Sequence, residues 1–410
     1  MTQKEALNIL ETGENVFLTG AAGSGKTFVL NKFITYLKSK KIHVGITAST
    51  GIAATHIDGL TIHSWAGVGI KNKLSKSEMK AIMRNKRIVE WVSGAEVLII
   101  DEISMVSDYL FDMVNDVCQS IRRSVAPFGG LQIVVCGDFF QLPPVSRDGV
   151  KKYCFNSLSW KKANFKICYL EKQHRQEDEV YLKVLNEIRN NSVSPESRIV
   201  LSKRFEAEIG LFDRPTRLYS HNVNVDKINN LELDNISGQS IDYHMTSEGV
   251  TRLIDVLKRG CLAPEVLSVK KGALVMFVRN KFLPNGRALY VNGTMGRVVG
   301  FNELNFPVVE TVKGKIDADP ADWSIGDGYY PLAKIRQVPL KLAWAITIHK
   351  SQGMSLDCAE VDLGSCFEVG MGYVALSRIR SLNGLRLLGM NEKALMVDED
   401  VLEFDRENRK

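Results

Sequence analysis

The residues Gly20-Ala21-Ala22-Gly23-Ser24-Gly25-Lys26-Thr27 fit the pattern GxxxxGK[ST], and each type in it has a use toward a polyphosphate. Glycines let backbone N–H groups approach phosphate oxygens, the lysine neutralises charge on the β and γ groups, and the threonine hydroxyl ligates Mg²⁺. Gly20, Gly23, Ser24, Gly25, Lys26 and Thr27 are therefore the candidate nucleotide-binding set. A second polar pair, Asp101-Glu102, ends the apolar run 97–100. In that place the aspartate is the second contact to the metal and the glutamate polarises the attacking water.

A third apolar run, 133–136, ends in Gly137-Asp138-Phe139-Phe140-Gln141-Leu142-Pro143-Pro144-Val145. Hydrolysis also needs positive charge on the transition state, which an arginine from another domain supplies in cis. Arg175, in Gln173-His174-Arg175-Gln176, and Arg378, in Tyr373-Val374-Ala375-Leu376-Ser377-Arg378, are the candidates. Thr347-Ile348-His349-Lys350-Ser351-Gln352-Gly353 places hydroxyl, imidazole and ammonium donors in one short loop, a mixture suited to a phosphate backbone. Thr47-Ala48-Ser49-Thr50-Gly51 and Thr61-Ile62-His63-Ser64-Trp65 offer the same mixture, with Trp65 able to stack on a base. A metal site built from His56 and His63 lacks acidic or cysteine partners at ligand spacing.

These groups need a scaffold that delivers them to one edge. Apolar runs at 16–19, 42–47, 97–100, 133–136 and 168–170 alternate with helical periods, the pattern of a parallel sheet with helices on both faces. In such a sheet ligands bind outside the carboxyl ends of the strands. Helical spacing also recurs at Val29, Leu30, Phe33, Ile34 and Leu37, and at Leu110, Val114, Val117, Cys118 and Ile121. Between residues 67 and 87 a basic, polar insert carries Lys71, Lys73, Lys76, Lys80, Arg84, Lys86 and Arg87. A second α/β unit starts at 216–220 and resumes at 340, with strands expected at 341–345, 360–363 and 385–388. The interval 249–338 has short strands at close turn spacing, which reads as a small antiparallel barrel inserted into that unit.

The chain has 410 residues, 45% hydrophobic and 24% charged, an ordinary composition for a folded soluble protein. The balance of 53 Lys and Arg against 47 Asp and Glu gives +6, which permits a polyanionic partner without requiring one. Cysteines 118, 136, 154, 168, 261, 358 and 366 form no CxxC pair, so reduced thiols in a cytosolic protein are expected rather than a zinc site or a disulfide framework. The amino terminus enters a helical pattern without an apolar signal core, and no membrane span is read from the sequence.

These blocks occur in the order and spacing of a superfamily 1B helicase over residues 3–387. Within that group the chain resembles the petite-integration-frequency DNA helicases, relatives of the RecD and Dda helicases. The discriminating segments are Leu110-Phe111-Asp112 through Ile121-Arg122-Arg123 to Pro127-Phe128-Gly129-Gly130-Leu131-Gln132, and 340–353 with its Thr347-Ile348-His349-Lys350 core. The resemblance implies an α/β chain of two RecA-like P-loop domains, with a small wedge insert in the first and an SH3-like β-barrel insert in the second. Domain 1A would span 1–175 with the wedge 1B at about 66–88, domain 2A 176–245 and 339–410, and domain 2B 246–338.

ATP with Mg²⁺ would lie in the cleft between the two RecA-like domains, with Gln3 reading adenine, Gln141 sensing the γ-phosphate, Arg175 and Arg378 as arginine fingers, and Gly353 among the nucleotide-binding positions. Single-stranded DNA would touch Ser49, Thr50, His63, Trp65, Pro144, Val145, Asn222, Thr347, His349 and Lys350. The resemblance further implies 5′ to 3′ translocation, unwinding of forked or 5′-tailed duplexes, G-quadruplex resolution as in some members, a monomer, and a setting in repair, recombination and telomere maintenance. A cytoplasmic, nucleoid-associated location would follow in a prokaryote. The chain departs from the family pattern at Met371, where glutamine is usual, at His174, where an aromatic is common, and at His221, where threonine is usual. Two other function classes compete with the motor: an ATP-switched single-stranded DNA-binding protein without unwinding activity, and a small-molecule kinase. The intact Glu102 with both arginines opposes the first, and the barrel insert with the His349-Lys350 loop opposes the second.

Overall fold

A computed structural model describes residues 1–69, 71–144, 151–176, 178–205, 207–209, 215–220, 225–283, 288–325 and 331–409. The chain divides into two compact units: unit 1 comprises Met1–His174 with Glu403–Lys410, and unit 2 comprises Arg175–Leu402. Both are α/β and both contain a parallel sheet.

In unit 1 the strands β1 (Val16–Gly20), β2 (Val44–Ala48), β3 (Leu60–Thr61), β4 (Val97–Asp101), β5 (Gln132–Cys136) and β6 (Lys166–Leu170) lie in the order β3-β2-β4-β5-β1-β6. All the pairings are parallel. Strands β1 and β4 are buried along their whole length, which is why both read as continuous apolar runs instead of alternating ones. Helices α1 (Gln3–Leu10), α2 (Lys26–Ser39), α3 (Gly51–His56), α4 (Ile62–Ala66), α5 (Lys76–Arg84), α6 (Lys86–Gly94) and α7 (Asp108–Arg122) connect and cover the sheet. On α2 the residues expected at helical spacing, Val29, Leu30, Phe33, Ile34 and Leu37, are its buried face.

The basic insert becomes α5 and the start of α6. Ser75 closes a capping box with Glu78, which starts α5 sharply. Lys71, Lys73, Lys76, Lys80, Arg84 and Lys86 are exposed. Helix α6 is not a solvated excursion, since it buries Ile88 and Val92.

The segment 127–130 is a single tight turn. Phe128 (φ 49°) and Gly129 (φ 66°) are both left-handed there. Burial of the Phe128 ring against Phe111, with centroids 5.0 Å apart, holds this conformation. So does an N–H bond from Phe128 to Asn115 Oδ1 at 2.8 Å.

Unit 2 carries a parallel sheet in the order Ala345–Thr347, Thr216–Tyr219, Ala359–Leu363, Leu385–Met390. The single strand expected at 341–345 is two strands. Leu340–Leu342 pairs antiparallel with Leu274–Phe277, and the chain then changes sheet through Ala343 and Trp344, so that only Ala345–Thr347 enters the parallel sheet. Antiparallel strands run from Ile241–His244 to Leu340–Leu342, among them a five-stranded sheet containing Met295–Phe301 and Pro307–Thr311. No helix among the described residues is long and apolar enough to cross a membrane.

Candidate nucleotide and nucleic-acid site

The phosphate loop leaves β1 at Gly20 and enters α2 at Lys26. A Cβ on Gly20 would stand 2.5 Å from the Leu170 carbonyl oxygen, and Gly25, the N-cap of α2, has φ +86°, so neither position admits a side chain without strain. No side chain caps α2, and its first N–H groups with the positive end of its dipole are what an anion meets. Lys26 Nζ folds back onto the carbonyls of Gly20 (2.8 Å) and Ala21 (3.1 Å). Ser24 Oγ is buried without a hydrogen-bond partner among the described residues, and Thr27 is exposed at the helix start.

Asp101, 6% exposed, ends β4. Burial pushes its carboxyl well above the usual range; the charge of Glu102 adds to the rise, and a backbone N–H, the Cys136 thiol and Lys26 oppose it. A buried carboxyl in that condition gains from a cation, and with the Thr27 hydroxyl it fits a magnesium held mainly by phosphate and water rather than by a protein cage. No cluster of three or more His, Cys, Asp or Glu that could hold a metal occurs among the described residues. Glu102 is left-handed (φ 52°), a strained backbone for a non-glycine residue that lifts its side chain off the line of β4. The Ser49 N–H bonds the Asp101 carbonyl at 3.1 Å, which joins the loop after β2 to the end of β4.

Gln141 follows β5, and its N–H bonds the Asp138 carbonyl at 3.0 Å. Asp138, fully buried, also accepts the Phe140 N–H at 3.4 Å. It is a turn-holding residue to which sequence reasoning assigned no role. Cys136 was missed likewise. Its thiol, at the end of β5, bonds the Asp101 carboxylate, and burial and that charge together raise its pKa. The available signal was a cysteine in the last position of a strand adjacent to the Asp101 strand.

A cavity of about 760 Å³ opens beside the loop, lined among others by Gln3, Ser24, Phe28, Val29, Leu170 and His174. Gln3 Nε2 bonds the Ser24 carbonyl at 3.3 Å, and the Thr2–Glu5 capping box sets the start of α1 and hence the position of Gln3. The His174 N–H bonds the Gly23 carbonyl at 2.8 Å. Lys32 Nζ lies 4.5 Å from the centroid of the half-exposed Phe28 ring.

Thr50 caps α3 by accepting the Ala53 N–H, and Thr61 caps α4 by accepting the Ser64 N–H. The hydroxyls are thus fixed at helix starts; Thr61 spends its own proton on Ser64 Oγ at 2.9 Å, whereas Thr50 accepts the Ala53 N–H at 3.2 Å. His63 is half-buried on α4, and its pKa is lowered by burial. Trp65 does not fit the stacking role. It is 3% exposed, and its indole occupies the space that a Cβ on Gly45 would need, at 2.9 Å. A ring so buried offers no face to a base. Pro144 is buried beside Leu142; Val145 and Asn222 lie outside the described residues, as does His221.

Unit 2 brings its two arginine candidates together. Arg175 Nη1 bonds the Ser377 carbonyl at 2.9 Å, and Gln176 Nε2 bonds the carbonyls of Ser377 and Ile379, each at 3.0 Å. Arg378, 2% exposed, ends the helix Met371–Arg378 and bonds the Val374 carbonyl and Ser377 Oγ, each at 2.9 Å. Met371 is fully buried at the start of that helix. In the loop after Ala345–Thr347, the Thr347 hydroxyl accepts the Lys350 N–H at 3.2 Å, while His349 and Lys350 are exposed and Gly353 is left-handed (φ +78°). Asn229 pairs both its amide atoms with the backbone of Ala345, at 3.0 Å each, closing the open edge of the sheet.

Comparison with known proteins follows the same lines. A family model described as "PIF1-like helicase" matches residues 2–193. The ATP-dependent DNA helicase Pif1 of Psychrobacter sp. is 41% identical over 97% of this chain and 69% of its own length. The ATP-dependent DNA helicase PIF1 of Xenopus laevis is 37% identical over the whole of this chain, which spans 64% of that relative. Unliganded Pif1 from Bacteroides sp. superposes with a TM-score of 0.83 at 30% identity, covering 100% of this chain and 96% of that one. A Bacteroides Pif1 solved with ADP-AlF3 and single-stranded DNA gives 0.65 at 31% identity, covering 99% and 96%. The chain belongs to the PIF1-like helicase family.

Proposed function

We propose that this chain is a motor that converts ATP binding and hydrolysis into 5′ to 3′ movement along single-stranded DNA, and that it opens forked or 5′-tailed duplexes and G-quadruplexes as a monomer. As a PIF1-like helicase it is an ATP-hydrolysing DNA helicase; the polarity, the G-quadruplex substrate and the residue roles are our reading. The observation that carries it is the convergence on one edge of the unit 1 sheet. Lys26, Asp101, Glu102 and Gln141 stand at or just after the carboxyl ends of β1, β4 and β5, Pro144 lies in the loop that carries Gln141, and Ser49-Thr50 follow the carboxyl end of the neighbouring β2. The relative bound to ADP-AlF3 and single-stranded DNA supports the same pair of ligands.

Magnesium, when bound through Thr27 and Asp101, would neutralise the β and γ oxygens. Lys26 exchanges its loop carbonyls for phosphate. Glu102 takes the proton of the attacking water. Gln141 reads the γ-phosphate, Gln3 reads the base in its cavity, and Arg175 and Arg378 of unit 2 stabilise transition-state charge. On the DNA side, Ser49, Thr50, His63, Pro144, Thr347, His349 and Lys350 grip the backbone. The basic α5–α6 segment is read as the wedge and the antiparallel region of unit 2 as the SH3-like insert. Val145 and Asn222 are proposed on the same path from the resemblance alone.

The test is ATP hydrolysis with and without single-stranded DNA, alongside displacement on 5′-tailed duplexes, 3′-tailed duplexes and a tailed G-quadruplex, with Glu102→Gln as the control. DNA-stimulated hydrolysis, and displacement from the 5′ tail only, are expected. Hydrolysis that ignores DNA would remove the motor reading, and displacement from the 3′ tail alone would remove the polarity.

A further inference from the structure

The aromatic core behind the Gln141 loop is completed by a ring from the far end of the sequence. Phe404 stacks on Phe155 with centroids 4.3 Å apart and meets Phe139 edge-on at 5.5 Å, with Trp160 at 6.0 Å and Phe17 at 6.3 Å. Phe139 is the second residue after Gly137 and the second before Gln141. It is 4% exposed and packs edge-on against Tyr153 and Phe155 as well. The loop that runs from Gly137 to Pro144 thus has two supports: the hydrogen bonds of Asp138, and the Phe139 ring seated between Phe17, Phe155 and Phe404.

Phe404 belongs to the helix Glu399–Asn408. That helix is pinned to unit 1 a second time, by Arg409, whose guanidinium lies 4.6 Å from the Tyr169 ring centroid and bonds the Tyr169 hydroxyl. Residues up to Leu402, including the buried Val401, belong to unit 2, and those from Glu403 onward belong to unit 1. The helix Glu399–Asn408 therefore carries, at Phe404, the ring that closes the aromatic core of unit 1. A plain core residue would be indifferent to the loop it touches. Phe404 instead contacts the residue from which the Gln141 loop hangs, and interior packing transmits displacement because it leaves no slack.

We propose that Phe404 is a positioning residue for the 137–144 loop, setting Gln141 and Pro144 in the relation that lets DNA stimulate hydrolysis. The proposal rests on the reading of Gln141 and Pro144 given above. Phe404→Leu keeps an apolar side chain in the site but removes the ring contacts. The measurement is the ratio of DNA-stimulated to DNA-free ATPase rates, because loss of folded protein lowers both rates together and leaves their ratio unchanged. The KM for ATP, which reports the phosphate loop and base cavity, is measured beside it, and Gln141→Ala is the reference.

A fall in the ratio on the order of tenfold in Phe404→Leu, with KM within about twofold of the parent chain, is expected for a small misplacement of reacting groups. A ratio equal to the parent's in Phe404→Leu, when Gln141→Ala loses it, overturns the role of Phe404 and leaves the loop reading intact. A ratio unchanged in Gln141→Ala overturns the loop reading, and this proposal falls with it.

Discussion

Arg122 donates from Nε to the carbonyl of Gly129 at 2.8 Å, and from Nη1 to the carbonyl of Ala95 at 2.8 Å, with Val92 and Ser93 at 3.2 and 3.3 Å. One side chain at the end of α7 therefore closes the carboxyl terminus of α6 and holds the 127–130 turn against it. Charged donors to otherwise open helix-end carbonyls are among the stronger hydrogen bonds of a fold. Arg122→Ala should destabilise unit 1 by about 2–3 kcal/mol. Arg122→Lys should recover less than half of that, since one ammonium cannot serve both ends of the fork. Urea unfolding followed by circular dichroism measures this, and a loss below about 0.5 kcal/mol in the alanine variant would show that water replaces the donor freely.

The neighbouring glycines should respond unequally. A Cβ on Gly129 (φ +66°) would stand 2.8 Å from both the Cys118 carbonyl oxygen and Arg122 Cδ, whereas one on Gly130 (φ +81°) meets nothing within 4 Å. Gly130→Ala bears only the left-handed strain, about 1–2 kcal/mol. Gly129→Ala bears the same strain plus a backbone clash and should be the more damaging by at least about 1 kcal/mol. Equal losses in thermal unfolding would contradict the packing described for this turn.

What was legible beforehand follows from these forces. Strands β1 and β4, with β5 but for its first residue, read clearly because strands buried on both faces are unbroken apolar runs, while β2 and β6, partly exposed, read from apolar stretches with shifted bounds; the phosphate loop read clearly because its glycines are demanded by backbone geometry. Strand β3 is only Leu60–Thr61, too short to carry a period. The split of 341–345 into two strands escaped notice because Leu340–Leu342 and Ala345–Thr347 are short, mostly apolar and separated only by Ala343 and Trp344, and only pairing partners 65 residues back (Met276 with Lys341) and 128 residues back (Leu218 with Ile346) separate them. Phe404 was illegible for a related reason, since nothing in its local pattern announces contact with Phe17 or Phe139.

Trp65 shows the same limit in the site itself. An aromatic among hydroxyl and imidazole groups reads as a base-stacking platform, yet its position over Gly45 makes it a core residue. Trp65→Ala should destabilise unit 1 by about 3–5 kcal/mol through the cavity it leaves. Single-stranded DNA affinity per folded molecule should stay within about twofold of the parent, where loss of a true stacking contact would cost about 1–3 kcal/mol. Fluorescence anisotropy at a temperature where the variant is folded decides between them; a tenfold weaker Kd would restore the stacking role.

His56, in the last turn of α3, has its pKa pushed down to about 4 by burial. In the unfolded chain an imidazole titrates near 6.5. Between those values the unfolded state binds more protons than the folded one, so stability must fall as pH drops from about 6.5 toward 4, with a slope of at most about 1.4 kcal/mol per pH unit. His63, shifted in the same direction, adds to it. The thermal midpoint should fall further between pH 7 and pH 5 in the parent chain than in His56→Gln. Parallel pH profiles for the two would mean that His56 charges freely in the folded protein.

Arg378 and Arg175 meet at one carbonyl-bearing turn, and Gln176 is the side chain that holds the turn closed. With its amide shared between the carbonyls of Ser377 and Ile379, Gln176 fixes the end of the helix from which Arg378 projects, and it is itself 3% exposed. If Arg378 acts on the transition state, removing it should lower kcat on the order of 10²–10³-fold, the usual scale for loss of a preorganised charge. Gln176→Ala keeps both arginines but frees the turn, and misaiming rather than loss should cost about tenfold in kcat with the KM for ATP little changed. The double variant Gln176→Ala with Arg378→Ala should then be no slower than Arg378→Ala alone, because a residue that only aims another has nothing left to aim. Steady-state ATPase on saturating single-stranded DNA gives all four rates. A further tenfold loss in the double variant would show that Gln176 serves hydrolysis by a route that does not pass through Arg378.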